Sequence, residues 1–458
     1  MKKKSLFKHY YFHLGTILIL GFTLVAGCTG EESPSFYDTP TDHPENISPP
    51  DQTIQSTASS HPKLNPPPTL DKWDLWTNGT QLRGANIWQR IVIPELDGPE
   101  FLGSEYIGPP YSQEDFNRLA ALGANYVNIS GPGLYTEEPP YQLDLRVQEH
   151  LDQLLEMIQK ADMFAVITFR TGPGRSDFTF YRDGAGDWFD PDLLREWVWE
   201  DQEAQDAWVK MWQYTAARYR NHPIVVGYDL MCEPNSAGIR EIWEPEEFYV
   251  DYEGTTLDWN QLHPKIRQSI REVDSETPIL VGGMGWSSIR WLPYLEPTDD
   301  PRTVYIAHQY EPQEGYTHQE NPYPKHSYPD EFDLDWDGIS DSFNQEWLDN
   351  YFQTIDIFQE RWGVPVAVNE YGIVRWVPGG AAFLDDQLAL FEARGLNHAI
   401  WMWDPSWEPW TEEVNSMNFR FGPDPQNQID QLPNPLLEIL QKYWGRNNLQ
   451  PSDVNPNN

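Results

Sequence analysis

The sequence predicts a (β/α)8 barrel, an α/β fold made as one domain with loop insertions, and three observations point to it. From residue 80 to 445, short apolar runs alternate with longer amphipathic stretches, and eight such pairs can be counted. Two of those runs end on a glutamate, at the end of a barrel strand where side chains face a common pocket. The length of 458 residues suits one barrel with insertions and non-globular ends.

In chain order, the first residues stand apart from the fold. Lys2, Lys3, Lys4 and Lys8 form a basic start, and Leu14 to Val25 is apolar but short for a bilayer span, the pattern of a secretory signal over residues 1–27. The run ends Leu24-Val25-Ala26-Gly27-Cys28, which resembles the bacterial lipobox. That resemblance implies cleavage before Cys28 and a diacylglycerol on its thiol, so the protein is expected to be extracytoplasmic and to meet a bacterial membrane or cell surface only through its lipid anchor. A cleaved ordinary signal or an uncleaved anchor would also place the domain outside the cytoplasm. Cys28 and Cys232 are the only cysteines, so an acylated Cys28 leaves Cys232 without a disulfide partner. Residues 28–70 are rich in Pro, Ser, Thr, Asp and Glu and bury too little to offset their ordering entropy, which predicts a disordered tether.

The barrel domain is expected over residues 71–446, followed by a disordered tail, 447–458. Its strands are predicted at Leu82–Asn86, Tyr126–Ile129, Phe164–Phe169, Val225–Leu230, Ile279–Gly282, Val304–His308, Val366–Asn369 and His398–Trp401. Helices are predicted at Ser112–Leu122, Leu143–Ala161, Asp201–Tyr219, Trp259–Asp274, Gln345–Trp362 and Ala381–Arg394, with Pro435–Tyr443 closing the ring. Ser112 with Asp115 reads as an N-cap followed by an acid three residues on, and Gly123 as a C′ glycine. A doubly wound sheet is the rival fold, but no Gly-x-Gly-x-x-Gly turn follows the first strand.

The formal net charge of −40 makes nucleic acid an implausible partner, because phosphate binding needs clustered Lys and Arg. Neutral ligands are favoured. The chain carries 21 Trp and 23 Tyr, more than a core alone needs, and flat rings with polar edges suit the C–H faces of pyranose sugars. No Gly-x-Ser-x-Gly elbow argues for a serine hydrolase, and no zinc pattern is present.

The fourth strand ends Cys232-Glu233-Pro234-Asn235 and the seventh Asn369-Glu370-Tyr371-Gly372. Two carboxylates about 5–5.5 Å apart across one bond are what retaining glycosidic cleavage needs, one attacking the anomeric carbon while the other protonates the leaving oxygen.

With these motifs the chain resembles glycoside hydrolase family 5, within the cellulase-like clan of retaining barrels. The resemblance implies Glu233 as acid/base, Glu370 as nucleophile, His308 near the acid/base, Tyr310 holding the nucleophile, and Trp401 beneath the reacting sugar. It covers roughly residues 80 to 445 as an architecture, and its motifs cover the strand ends. The sequence departs from it at three places. Cys232 stands where the family has an Asn that bonds the sugar 2-hydroxyl, Asn128 where it has Arg, and Arg170 where it has His. The two last changes are expected to be linked, with Arg170 supplying the guanidinium that keeps Glu370 ionised and Asn128 taking a polar place beside it.

Trp88, Trp286, Trp376, Trp403 and Trp407, each following a strand, are expected to offer cleft platforms. Asp333, Asp335 and Asp337, with Gly338, have the opening spacing of a calcium loop but lack its closing Glu, so a structural calcium is an alternative to a solvated acidic insertion. No cofactor is required. The function implied is an endo-acting β-glucanase or β-mannanase acting on β-linked polysaccharide. The alternatives are a catalytically impaired sugar-binding lipoprotein and an exo-acting β-glycosidase on oligosaccharides.

Overall fold

The computed structural model describes residues 71–319, 325–334, 337–405 and 412–454. Eight parallel strands close into a barrel: β1 (Arg83–Trp88), β2 (Tyr126–Gly131), β3 (Phe164–Phe169), β4 (Val225–Asp229), β5 (Ile279–Gly282), β6 (Thr303–Gln309), β7 (Val366–Tyr371) and β8 (His398–Ile400). The surrounding helices are α1 (Gln113–Ala121), α2 (Leu145–Lys160), α3 (Gln202–Tyr219), α4 (Trp259–Arg271), α5 (Gln345–Trp362), α6 (Gly380–Ala393) and α7 (Pro435–Trp444). The expected cap of α1 is present, with the Ser112 amide donating to Asp115 Oδ2 at 2.9 Å, and Gly123 takes φ +101° just past its end.

Eight strand–helix pairs were expected, and one is different. Between β5 and β6 the crossover is a short 3-10 turn, Ile289–Tyr294, in which Pro293 has no amide to continue a helix. The region after residue 446 also differs from a loose tail. Asn447 donates to the carbonyls of Gly123 and Arg83 at 2.8 and 3.1 Å, Asn125 donates to that of Leu449 at 2.9 Å, and a last turn covers Pro451–Val454. Residues 1–70, with Cys28, lie outside the described residues, as do Asp335 and Trp407.

The barrel interior is layered. At its floor Leu82, Tyr126, Phe164, Val166, Val226, Leu280, Val304, Ile306, Ala367 and Ala399 form an apolar core, closed from below by Leu75 and Trp76. The Trp76 indole N–H donates to the Val226 carbonyl at 2.9 Å, so even the plug's polar atom is satisfied. Gly84 is required where β1 meets β2, because a Cβ there would sit 1.7 Å from the Tyr126 carbonyl oxygen.

A buried polar layer lies above the floor. The Asn128 amide donates to Asn86 Oδ1 at 2.6 Å, Thr168 Oγ1 donates to Asn128 Oδ1 at 2.8 Å, and the Asn369 amide donates to Asp229 Oδ2 at 3.0 Å. Hydrogen bonds among side chains from five strands fix the strand ends that carry the next layer.

Candidate active site

Above the polar layer, β4, β6 and β7 deliver Glu233, His308, Tyr310 and Glu370 to one point. His308 Nδ1 lies 2.9 Å from Glu233 Oε1 and 3.6 Å from Glu370 Oε1. One ligand-type atom from each of Glu233, His308 and Glu370 lies within 4.8 Å of the other two, so the carboxylates face each other at the short separation. The Tyr310 hydroxyl donates to Glu370 Oε1 at 2.8 Å. Glu370 Oε2 is buried and has no hydrogen-bond partner among the described residues. One oxygen of the carboxylate is therefore held and the other presented.

The electrostatics follow from this crowding. Burial pushes Glu370 up to about 7, with Glu233 adding to the rise, while His308, Arg170 and the Tyr310 hydrogen bond hold it down. Burial opposes charge on His308, but Glu370, Glu233 and Asp229 outweigh it and raise the imidazole to about 9. Asp229, beneath them, is raised to about 6 by burial. The site thus gathers protons among neighbours whose titrations are shared.

Arg170 is in this pocket, its Nε 3.0 Å from Asp177 Oδ1 and its Nη1 3.8 Å from Cys232 Sγ. Its charge lowers Glu370 in the direction expected of it. Asn128, in contrast, is one layer lower, bonded to Asn86 and Thr168 rather than set beside Arg170. The difference arises because Asn128 is in the middle of β2, whereas Arg170 follows the last residue of β3. Burial pushes the Cys232 thiol well above its usual range, so it meets the pocket as a neutral group. Besides Arg170, Cys232 Sγ has Ser130 Oγ at 3.9 Å.

The expected platforms divide. Trp401 is buried at the end of β8 with the Arg170 guanidinium 5.2 Å from its ring centre. Trp403 is core: its indole N–H donates to the Asp115 carbonyl at 3.2 Å and Arg420 covers its ring at 4.1 Å. Trp88 is also buried, at the same 3% exposure as Trp401. Trp376 is half-buried beside Arg375. Trp286 is exposed and stacks on Trp243, with ring centres 5.6 Å apart and planes within 6°. Trp243 is itself 57% exposed and follows the β4 end, a residue that the sequence pattern did not single out. In the acidic insertion, Asp333 accepts the amides of Asp337 and Gly338 at 3.1 and 2.9 Å, so its carboxylate is engaged within the hairpin loop.

The sequence profile of the family Cellulase (glycosyl hydrolase family 5) matches residues 77–406. This chain belongs to glycosyl hydrolase family 5. Among curated proteins, it is similar to Endoglucanase C of Acetivibrio thermocellus, at 24% identity over 227 residues, covering 48% of this chain and 56% of that one. It is also similar to a beta-xylosidase of Phanerodontia chrysosporium, at 23% identity over 156 residues, 33% of this chain and 31% of that one. The chain thus spans about half the length, or less, of these relatives. The fold is shared with endoglucanase Cel5A from Thermotoga maritima, at a TM-score of 0.55 and 18% identity, over 81% of this chain and 100% of that one.

Proposed function

We propose that the protein is a retaining β-glycoside hydrolase of the cellulase-like kind, acting within chains of a β-linked glucan or mannan. The observation that carries this reading is the facing pair Glu233 and Glu370, whose oxygens lie within 4.8 Å with His308 between them. Glu370 Oε2 attacks the anomeric carbon while Glu233 gives its proton to the leaving oxygen. Glu233 then takes a proton from the water that opens the glycosyl-enzyme. Tyr310 holds Oε1 throughout, keeping the free oxygen aimed. These steps call for no metal or organic cofactor.

An endo-acting reading is supported by the open Trp243–Trp286 stack, a surface that a polymer can cross. Curated relatives named as endoglucanases agree with it. The test incubates soluble protein starting after residue 70 with carboxymethyl-cellulose, mixed-linkage glucan, glucomannan and xylan, counting new reducing ends beside Glu370→Ala. Release from a preferred polymer, abolished in the variant, is expected. A folded protein that releases none from any of the four would overturn the reading.

The lipobox-like Leu24-Val25-Ala26-Gly27-Cys28 supports a further part of the proposal, that Cys28 carries lipid and tethers the enzyme outside the cytoplasm. Expression of the full chain in a bacterium with Cys28→Ser should move activity from the membrane fraction to the soluble one. An unchanged distribution would count against lipidation.

A further inference from the structure

Glu233 takes φ +51°, the left-handed region that side chains other than glycine disfavour. Something must hold it there. In a strand, successive carbonyls point to opposite sides. At Glu233 the chain turns, so that the carbonyls of Cys232 and Glu233 both face one guanidinium: Arg175 Nη1 donates to the first at 2.6 Å and Nη2 to the second at 2.9 Å.

Arg175 is 3% exposed, and its guanidinium is partnered by these two carbonyls. A buried arginine ordinarily has an acidic partner. Here the charged fork is directed at two carbonyl oxygens that flank the acid/base. Burial draws its pKa down to about 10, which still leaves it charged at neutral pH.

Its own position is tightly set. Gly172 and Arg175 exchange amide-to-carbonyl bonds of 2.9 Å in each direction, closing a turn directly after β3. A Cβ on Gly172 would press on Trp208 and Met211, and Gly174 takes φ +71°. The Phe180 ring lies against both guanidinia, 3.8 Å from that of Arg170 and 5.1 Å from that of Arg175.

We propose that Arg175 is a positioning residue for Glu233, a clamp from the loop after β3 that holds the acid/base in the left-handed turn from which it reaches the leaving oxygen. This rests on the reading of Glu233 as acid/base. Without the clamp, the backbone relaxes toward an ordinary conformation and the carboxyl moves away from the scissile bond. The deficit then appears where proton transfer matters, and much less where the leaving group departs unaided.

The test uses Arg175→Ala and Arg175→Lys, with two substrates built on whichever sugar the wild type prefers: its β-linked oligosaccharide and its 2,4-dinitrophenyl β-glycoside. The burst of dinitrophenolate counts competent active sites, so misfolded protein does not enter the rates. Per site, Arg175→Ala should lose about 10²-fold in kcat/KM on the oligosaccharide, at least tenfold more than on the dinitrophenyl glycoside. Arg175→Lys, which keeps the charge and one donor, should lose less.

Azide should restore dinitrophenyl turnover in Arg175→Ala, because the anion attacks the anomeric carbon and displaces the Glu370 carboxylate without needing a base. Equal losses on both substrates, or no loss on either, would overturn the clamp. A wild type that cleaves neither substrate would instead overturn the glycosidase reading on which the clamp rests.

Discussion

The hydroxyl of Tyr310 lies 2.8 Å from Glu370 Oε1, while Oε2 of the same carboxylate has no partner among the described residues. Tyr310→Phe removes the hydrogen bond that steadies the nucleophile and helps to hold its pKa down. We expect kcat to fall by about 10²-fold and the acid limb of kcat/KM to move to higher pH. Steady-state rates across pH would show both, and an unmoved limb would separate Tyr310 from the ionisation of Glu370.

Protonated Glu370 cannot attack, so activity should be lost as pH falls through about 7, where burial places that carboxyl. At the other end, His308 gives up its proton as pH rises through about 9. The expected kcat/KM profile is a bell between these values, and Glu370 and His308 set its limbs together because each charge shifts the other. His308→Asn removes the strongest influence holding Glu370 down and should shift the acid limb upward. A wild-type profile still flat at pH 5 would contradict a raised Glu370 pKa.

The stacked rings of Trp243 and Trp286 should matter only to substrates long enough to reach them. Trp243→Ala is expected to raise KM for a soluble glucan polymer about fivefold, the equivalent of about 1 kcal/mol of lost stacking. An aryl disaccharide should notice little. Equal KM changes on both substrates would show that the pair supports the fold rather than a chain of sugars.

Far from the mouth, Arg83 donates to Glu392 at 2.5 and 2.8 Å, and Arg446 adds a bridge at 3.3 Å. Burial disfavours the Glu392 carboxylate, but Arg83 and His398 outweigh it and hold the group down at about 2. Glu392→Gln leaves a nearly buried Arg83 short of its partner and should cost about 3 kcal/mol at pH 7 by urea unfolding. Because the folded pKa lies below the unfolded value of about 4.3, this stabilisation is full above that value and fades as pH falls toward 2. The gap between wild type and variant should narrow accordingly.

Much of this was legible in the sequence because barrel strands are buried on both faces. Continuous apolar runs such as Phe164–Phe169 therefore stand out, and the glutamates that interrupt the pattern at their ends stand out further. The pairing of His308 with Glu233 and of Tyr310 with Glu370 followed from the family likeness and is present at 2.9 and 2.8 Å. The tryptophans were not legible in the same way. Trp286 and Trp403 both follow strands, and what separates them is the Arg420 and Phe419 segment that folds back over Trp403 alone. Arg175 gave no sign because its role depends on the left-handed turn of a residue 58 positions away. Backbone conformation of that kind has no signature in residue order.

The hydrogen bond between Asn369 and Asp229 has a consequence for the product. Asn369 precedes Glu370, and Asp229 lies on the strand that leads to Glu233, so this 3.0 Å link ties the two strands just beneath the facing carboxylates. A wider gap between the two carboxyls, with room for a water, belongs to a single inverting displacement, from which the freed sugar emerges with the opposite anomeric hand. A link buried below the reacting atoms thus joins the strands whose carboxylates face each other at the short separation of a retaining cleavage.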